Sequence, residues 1–160
     1  PLEGDVFAGI GQKAFAYVPP MAYHESPAPP LSLELGGPWA FYHDFYQVHG
    51  LTSLETLVKP QSAFIPGNRF WVPLLLRNTS QEPFDVVLHS SLPEGWRPAG
   101  RDVAYRLEPD STYPVQIFLK GPSNVKDKMP QVLRWSMTAN GKQVGDVELP
   151  VYMEQIGLPQ

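Results

Sequence analysis

The stretch from Phe84 to Leu119 constrains the fold more than any other part of the chain. Apolar residues recur at every second position in 84–88, again in 103–107 and again in 113–119, which is the period of a half-buried strand. A turn signal at 108–112 separates the last two segments. Because three such strands need a common apolar layer, the stretch predicts part of a β-sandwich.

Composition agrees with an all-β fold built from short strands. Nineteen prolines and 13 glycines occur among 160 residues, and they favour frequent turns over a helical bundle. Hydrophobic residues make up 42% of the chain, which is too many for a disordered polypeptide. We therefore expect a folded chain that is long enough to bury a core.

Charge and cysteine content exclude several functional classes. The net charge is −4 and basic residues form no cluster, so we expect no nucleic-acid partner. The chain has no cysteine, and hence no disulfide, thiolate metal site or cysteine nucleophile. No apolar run is long enough to predict a membrane span. The sequence begins with Pro1, and we expect it to be a piece of a longer, exported protein.

Alternation continues on both sides of the central stretch and brings the number of predicted strands after residue 51 to seven. Seven strands are typical of an immunoglobulin-like sandwich, which we place at residues 51–155. Pro73 predicts an edge or a bulge in its strand, and Asn140-Gly141 predicts a two-residue hairpin. The seven strands are expected near 54–59 and at 70–76, 84–88, 103–107, 113–119, 133–139 and 147–153.

Three segments carry a resemblance to a known family. They are Arg77–Ser80 (RNTS), Ser91–Trp96 (SLPEGW) and Leu107–Ser111 (LEPDS). Together they resemble the pattern of the NPCBM-associated, or alpha-galactosidase-associated, immunoglobulin-like accessory domain, over roughly residues 51–153. The one departure is Asp110, where that family usually has glycine. The resemblance implies a non-catalytic module behind the catalytic domain of a bacterial glycoside hydrolase or PIG-L (LmbE-like) deacetylase.

Residues 1–50 are predicted to form an extension that packs on the sandwich, and residues 156–160 a tail. An apolar stripe over 2–18 predicts a short helix, residues 21–30 a proline-rich strap, and 31–35 a strand. The motif G-x-G-x-x-A at 9–14 lacks the strand-to-helix context of a dinucleotide site, so we expect no cofactor.

The segment from Trp39 to His49 contains five aromatic residues and two histidines. We interpret it as an aromatic packing strand. On a straight strand, at ~3.3 Å per residue, His43 and His49 would lie about 20 Å apart, too far to share one metal ion. Neither these residues nor His24 and His89 therefore predict a metal site. Trp39, Tyr42 and Tyr46 are candidates for a ligand-stacking or partner surface.

Two further tryptophans complete the candidate surface. Trp71 and Leu75 face outward from their strand, and we expect residues 1–50 to cover them. Trp96, in the corner 92–96, is expected to close one end of the core, with an exposed sugar-stacking platform as the alternative.

No catalytic motif is found, so the sequence predicts a non-catalytic module. The resemblance implies that this module is an accessory part of a larger carbohydrate-active hydrolase. Its expected partner is the adjacent catalytic domain, or else another protomer. A second hypothesis is polysaccharide binding through Trp39, Tyr42 or Trp96. A third is a free-standing hydrolase. No catalytic, cofactor-binding or metal-binding residue is assigned.

Overall fold

The alternating segments form strands in the computed structural model, which describes residues 29–55, 57–124 and 129–153. Nine strands and two helices lie in these ranges. In chain order they are β1 Leu31–Leu35, α1 Pro38–Val48, α2 Thr52–Glu55, β2 Ser62–Phe64, β3 Arg69–Asn78, β4 Phe84–Ser91, β5 Arg97–Pro98, β6 Val103–Leu107, β7 Ser111–Lys120, β8 Gln131–Ala139 and β9 Lys142–Met153.

The strands form two sheets, so the predicted all-β, two-layer architecture is confirmed. One sheet has the order β1-β3-β7-β5 and the other β2-β9-β8-β4-β6. All neighbouring strands are antiparallel except β2 and β9, which are parallel. Inward-facing apolar side chains from both sheets make one core, whose largest fully buried members include Trp135, Leu74 and Leu76.

Eight of the described strands follow residue 51, one more than the seven that we expected. The short strands β2 and β5 lie outside the predicted segments. The segment near 54–59 was wrongly predicted to be a strand. It begins with the last two residues of helix α2, and the chain joins the sheet only at β2.

The prediction of a strand over 39–49 was also wrong, because this segment is helix α1. The helix begins with Pro38 after Gly37, a glycine with a φ of 60°. Proline suits the first turn of a helix because its missing amide hydrogen is not needed there. At the other end, Gly50 has a φ of 66°, and its N–H donates to the Gln47 carbonyl at 3.3 Å. Leu51 N–H donates to the Tyr46 carbonyl at 2.8 Å, which completes a Schellman-type end.

The prediction of an edge strand or a bulge at Pro73 was wrong, because β3 has neighbours on both sides and pairs with β7 without a register shift. Pro73 pairs with Gln116 of β7, while β1 ends opposite Leu74. Its carbonyl accepts the Gly36 N–H at 2.8 Å, beyond the end of β1. Since the N and C=O of one strand residue point the same way, the missing amide hydrogen of Pro73 faces the side where β1 has already ended.

Trp96 closes one end of the core, as the sequence predicted. It is 6% exposed and its ring lies 4.7 Å from that of Phe64 and 5.7 Å from that of Phe70, centroid to centroid. Its indole N–H donates to Gln131 Oε1. Gly121 lies against the Phe64 ring, where a β-carbon would come within 2.0 Å of Cζ.

Asn78 fixes the opposite end of the sandwich. Its amide is 1% exposed and donates to the carbonyls of Glu82 at 2.8 Å, Glu108 at 3.0 Å and Leu107 at 3.3 Å. Its Oδ1 accepts from the Ser80 N–H and hydroxyl at 3.0 and 2.7 Å. One side chain therefore joins the loop after β3 to the turn before β7.

The predicted hairpin at Asn140-Gly141 is confirmed, since both residues have a positive φ, of 51° and 73°, and connect β8 to β9. Strand β1, which we assigned to the extension, pairs with β3 and belongs to the sandwich itself. The predicted helix over 2–18, the motif at 9–14, the strap except for Pro29 and Pro30, His24 and the tail at 156–160 lie outside the described residues.

Candidate functional site

A groove of about 740 Å³ lies between helix α1 and the segment that leads from α2 to β2. Residues of β1 and β9, among them Leu33, Leu35 and Val147, contribute to its lining. The opposite wall contains Glu55 and Val58–Gln61. A volume of this size is within the range of ordinary small-molecule sites, about 300–1,000 Å³.

Helical spacing brings three of the predicted surface residues into this groove. Trp39, Tyr42 and Tyr46 all line it, together with His43. The rings of Tyr42 and Tyr46 lie 6.4 Å apart at an interplanar angle of 26°, because residues four apart lie above one another on a helix. Trp39 also packs against the core and so anchors α1 to the sandwich.

Glu55 joins the two helices across the groove. One of its carboxylate oxygens contacts His43 Nδ1, and the other accepts a hydrogen bond from Gln47 Nε2 at 3.3 Å. Each oxygen keeps a free lone-pair direction after these contacts, since a carboxylate oxygen accepts two hydrogen bonds. Glu55 is therefore held in place and can still accept from a ligand.

The other carboxylates on the groove are paired with arginines outside its lining. Glu34 Oε2 lies 3.1 Å from Arg77 Nε, and Glu148 Oε1 lies 2.6 Å from Arg134 Nε. These are partly exposed cross-strand pairs, and each is expected to contribute no more than about 1 kcal/mol. The two arginines therefore lower the net negative charge of the groove. Lys59 is a further charged group of the lining.

The other side of α1 carries exposed apolar side chains. Phe41 is 65% exposed, Phe45 42% and Val48 81%, and the two phenylalanine rings lie 6.4 Å apart. Leu57, beyond α2, is 76% exposed. We call these four residues the hairpin patch. Helix α1 has no buried residue, so both of its sides are accessible in the described structure.

Trp71 lies elsewhere, on the outer face of the four-stranded sheet. It pairs with Phe118 of β7, and the two side chains are 57% and 53% exposed. The expectation that residues 1–50 cover Trp71 fails for their described part, because β1 ends opposite Leu74. Leu75 is half-buried, and the corner at Gly36 approaches it.

Trp96 does not belong to the accessible surface. Because its ring is buried among Phe64 and Phe70, it offers no free face for stacking, and the sugar-platform alternative is wrong for this residue. The structure thus brings three of the five candidates together and separates Trp71 and Trp96 from them. Sequence reasoning missed Glu55, Gln47 and the hairpin patch, although the i, i+4 spacing of Phe41 and Phe45 was a helical signal.

One polar chain has the order of a hydrolase triad. His89 Nδ1 lies 2.9 Å from Asp102 Oδ2, and His89 Nε2 lies 3.1 Å from Thr138 Oγ1. His89 and Thr138 extend from the outward-facing positions of the paired strands β4 and β8. The Thr138 hydroxyl also reaches the Val87 carbonyl at 3.5 Å, as expected of a group that ties strands together. We interpret this chain as structural.

Within residues 29–55, 57–124 and 129–153, no three His, Cys, Asp or Glu side chains converge as metal ligands would. His43 lies in α1 and His49 is the residue that ends this helix, so the strand spacing used above does not apply to them. No helix in the described part of the chain has the length and apolar character needed to cross a membrane.

Comparison with known proteins gives only distant likenesses. No protein-family model and no curated protein matches the chain. A FixG-related protein from Vibrio parahaemolyticus is similar in structure at 14% identity and a TM-score of 0.45, over 54% of this chain and 80% of that one. The native conformation of E. coli alpha-2-macroglobulin is similar at 12% identity and a TM-score of 0.45, over 60% of this chain and 6% of that one. Similarities this low support no functional argument.

Proposed function

We propose that the chain is a non-catalytic, immunoglobulin-like accessory module of a larger, exported bacterial carbohydrate-active hydrolase, and that it docks on the adjacent catalytic domain. The parent enzyme would be a deacetylase or a glycosidase, as the NPCBM-associated resemblance implies. Asp110 is compatible with that resemblance. Its φ of 47° lies in the region that favours glycine, the residue usual in the family, and that aspartate also tolerates.

The strand order supports the immunoglobulin-like part of the proposal. Seven of the described strands have five or more residues, and they divide into β1-β3-β7 and β9-β8-β4-β6. Three and four antiparallel strands in facing sheets, with connections that cross between the sheets, are the arrangement of such sandwiches. The short strands β2 and β5 add to the edges of the two sheets.

The hairpin patch is the observation that carries the docking proposal. Phe41, Phe45 and Val48 are neighbouring apolar side chains on one side of α1, Leu57 follows the end of α2, and all four are exposed. An exposed apolar helix face of this kind marks a protein-interaction surface.

Binding between the chain and the neighbouring catalytic domain of its parent, produced separately, tests this proposal. Isothermal titration calorimetry should detect association, and the double variant Phe41→Ser/Phe45→Ser should abolish it. Phe118→Ser is the matched control, because Phe118 is equally exposed on another face. A parent reading frame without a catalytic domain would contradict the proposal. So would equal binding by the double variant, or loss of binding only in the control.

A second candidate function is polysaccharide binding through exposed aromatic residues. The observation that favours it is the position of Trp39, Tyr42 and Tyr46 along one groove. Flat rings beside hydrogen-bonding groups are suited to ligands that have both apolar and hydroxyl surfaces. This function uses the opposite side of α1 from the hairpin patch, so docking and glycan binding are compatible.

A further inference from the structure

We infer that the outer face of the four-stranded sheet binds acidic saccharides at a basic row formed by Arg69, Lys120 and Arg97, with Trp71 beside the row as the stacking residue. This site goes beyond both candidate functions. It lies on the sandwich itself, and none of its residues lines the groove or belongs to the hairpin patch. The sequence did not show it, because the three basic residues are far apart along the chain.

The basic row follows from the strand register. Lys120 of β7 lies directly opposite Arg69 of β3 on one side and directly opposite Arg97 of β5 on the other. Residues that lie opposite each other point to the same face of a sheet, with their α-carbons about 5 Å apart. Phe70, the next residue of β3, packs against the core, so the row faces outward. All three side chains of the row are exposed, and they form a line of cations across three neighbouring strands.

The charge of the basic row is not balanced within the described ranges, where no carboxylate pairs with any of its three side chains. Other arginines on the sheets are balanced. Arg106 lies opposite Asp85 and forms an ion pair with it, and Arg134 does the same with Glu148. Because like charges directly opposite each other destabilise a sheet, the row costs stability that an anionic ligand would restore.

Trp71 supplies an apolar surface next to the basic row. It follows Arg69 by two residues in β3 and so points to the same face, about 7 Å further along a strand that rises ~3.4 Å per residue. The Trp71 side chain is 57% exposed, and that of Phe118 opposite it is 53% exposed. The C–H face of a sugar ring is apolar, and it can stack on the indole while a carboxylate of the same saccharide reaches the row.

The combination of a sheet face, an indole and three cations favours an acidic saccharide over other polyanions. A sheet face offers side chains only, whereas an extended peptide commonly binds through main-chain hydrogen bonds at a sheet edge. Nucleic-acid sites depend on a strongly basic surface with many phosphate contacts, and this chain has a net charge of −4. A uronic acid brings one carboxylate for each ring, which matches a short row of cations beside an aromatic side chain.

Titration of the chain with trigalacturonic, trimannuronic and triguluronic acids, each compared with its methyl ester, tests the inference. The esters keep the rings and linkages but carry no charge. Isothermal titration calorimetry should show saturable binding of at least one acid, with binding of its ester weaker by about tenfold or more. Binding of the acid should also weaken as salt is added, because exposed charges are screened. Tighter binding of hexaglutamate or of oligothymidylate would overturn the assignment to saccharides.

Lys120→Glu separates the effect on binding from an effect on folding. It should abolish binding, because it places a carboxylate between Arg69 and Arg97. In urea denaturation the variant should be at least as stable as the unmodified chain, because repulsion in the row is replaced by attraction. Lys142→Glu is the matched control, since Lys142 is exposed on the other sheet, and it should bind as the unmodified chain does. Equal loss of binding in both variants, or a Lys120→Glu variant that binds normally, would contradict the inference.

Trp71→Ala tests the stacking role and should weaken binding of the acid about tenfold. Tyr152→Ala, which removes an aromatic side chain that is 43% exposed on the other sheet, should leave binding unchanged. Failure of all three acids to bind, or equal binding of acid and ester, would overturn the inference. Neither result would bear on docking through the hairpin patch or on the groove beside α1, because those surfaces use other residues.

Discussion

At the scale of single residues, the fold requires glycine at position 121 because the Phe64 ring lies against its backbone. A β-carbon at this position would lie 2.0–2.8 Å from three atoms of Phe64, which in turn contacts Trp96. Gly121→Ala should therefore displace Phe64 and destabilise the fold by about 1–3 kcal/mol, the usual cost of overpacking. Urea denaturation measures the loss. Gly100→Ala is the matched control, because a β-carbon there meets nothing within 4 Å, and an equal effect of both changes would contradict this explanation.

Asn78 forms a buried hydrogen-bond network through its side-chain amide. Its amide group serves three carbonyl acceptors and two Ser80 donors while almost fully buried. Asn78→Ala should lower the free energy of unfolding by about 2–3 kcal/mol, because buried carbonyls lose their partners. Chemical denaturation monitored by fluorescence measures it. The exposed Asn124→Ala provides the comparison, and a similar small loss in both would show that the network contributes little.

At the scale of elements, the glycine that ends α1 contributes to the stability of the helix. The helix has no side-chain N-cap, no acidic residue in its first turn and no basic residue in its last turn. Gly50→Ala would force a β-carbon into a positive φ and should cost about 1 kcal/mol. Hydrogen exchange of α1 amides should then accelerate about fivefold while exchange in β8 stays unchanged. Unchanged exchange in α1 would contradict the proposed role of Gly50.

The sequence predicted most strands because one face of each is buried and the other is not. In β4, for example, Val86 and Leu88 are buried and Asp85 is exposed, so the period of two is visible. Helix α1 was missed because almost every residue from Trp39 to Tyr46 is aromatic or small, and both periods fit such a run. Pro38 and Gly50, a start and a stop signal, were the available cues.

The candidate site was predicted only in part for a related reason. Ring-bearing residues can be recognised in a sequence, and three of those singled out do line the groove. Glu55 could not be recognised, since its contact with His43 depends on how α1 and α2 fold back on each other. The separation of Trp71 from the groove likewise depends on where β1 ends along β3, which is opposite Leu74.

At the scale of the whole molecule, the chain crosses from one sheet to the other between β6 and β7. Tyr105 and Tyr113 meet there with ring centroids 5.6 Å apart, and Tyr113 is 48% exposed. Burial, and then the neighbouring Tyr113, raise the pKa of the Tyr105 phenol above its ordinary value of 10.0. The folded state therefore favours the neutral phenol, and this contribution to stability is present below pH 10 and lost as the pH rises through the raised pKa.

Tyr105→Phe should remove that alkaline sensitivity. The variant should lose less unfolding free energy than the unmodified chain between neutral pH and about pH 11. Urea denaturation at several pH values measures the difference, with Tyr152→Phe as an exposed comparison. Parallel losses in the variant and the unmodified chain would show that Tyr105 has no part in alkaline unfolding.

Helices α1 and α2 connect β1 to β2, and both of these strands lie next to β9. Strand β1 packs against β9 from one sheet, with Leu33 close to Gly145, and β2 pairs with β9 in the other. The segment that contains α1 and α2 therefore starts and ends next to the same strand, β9, at one edge of the sandwich. A protein engineer could therefore exchange residues 38–60 as a cassette and vary this surface without redesigning the strands beneath it.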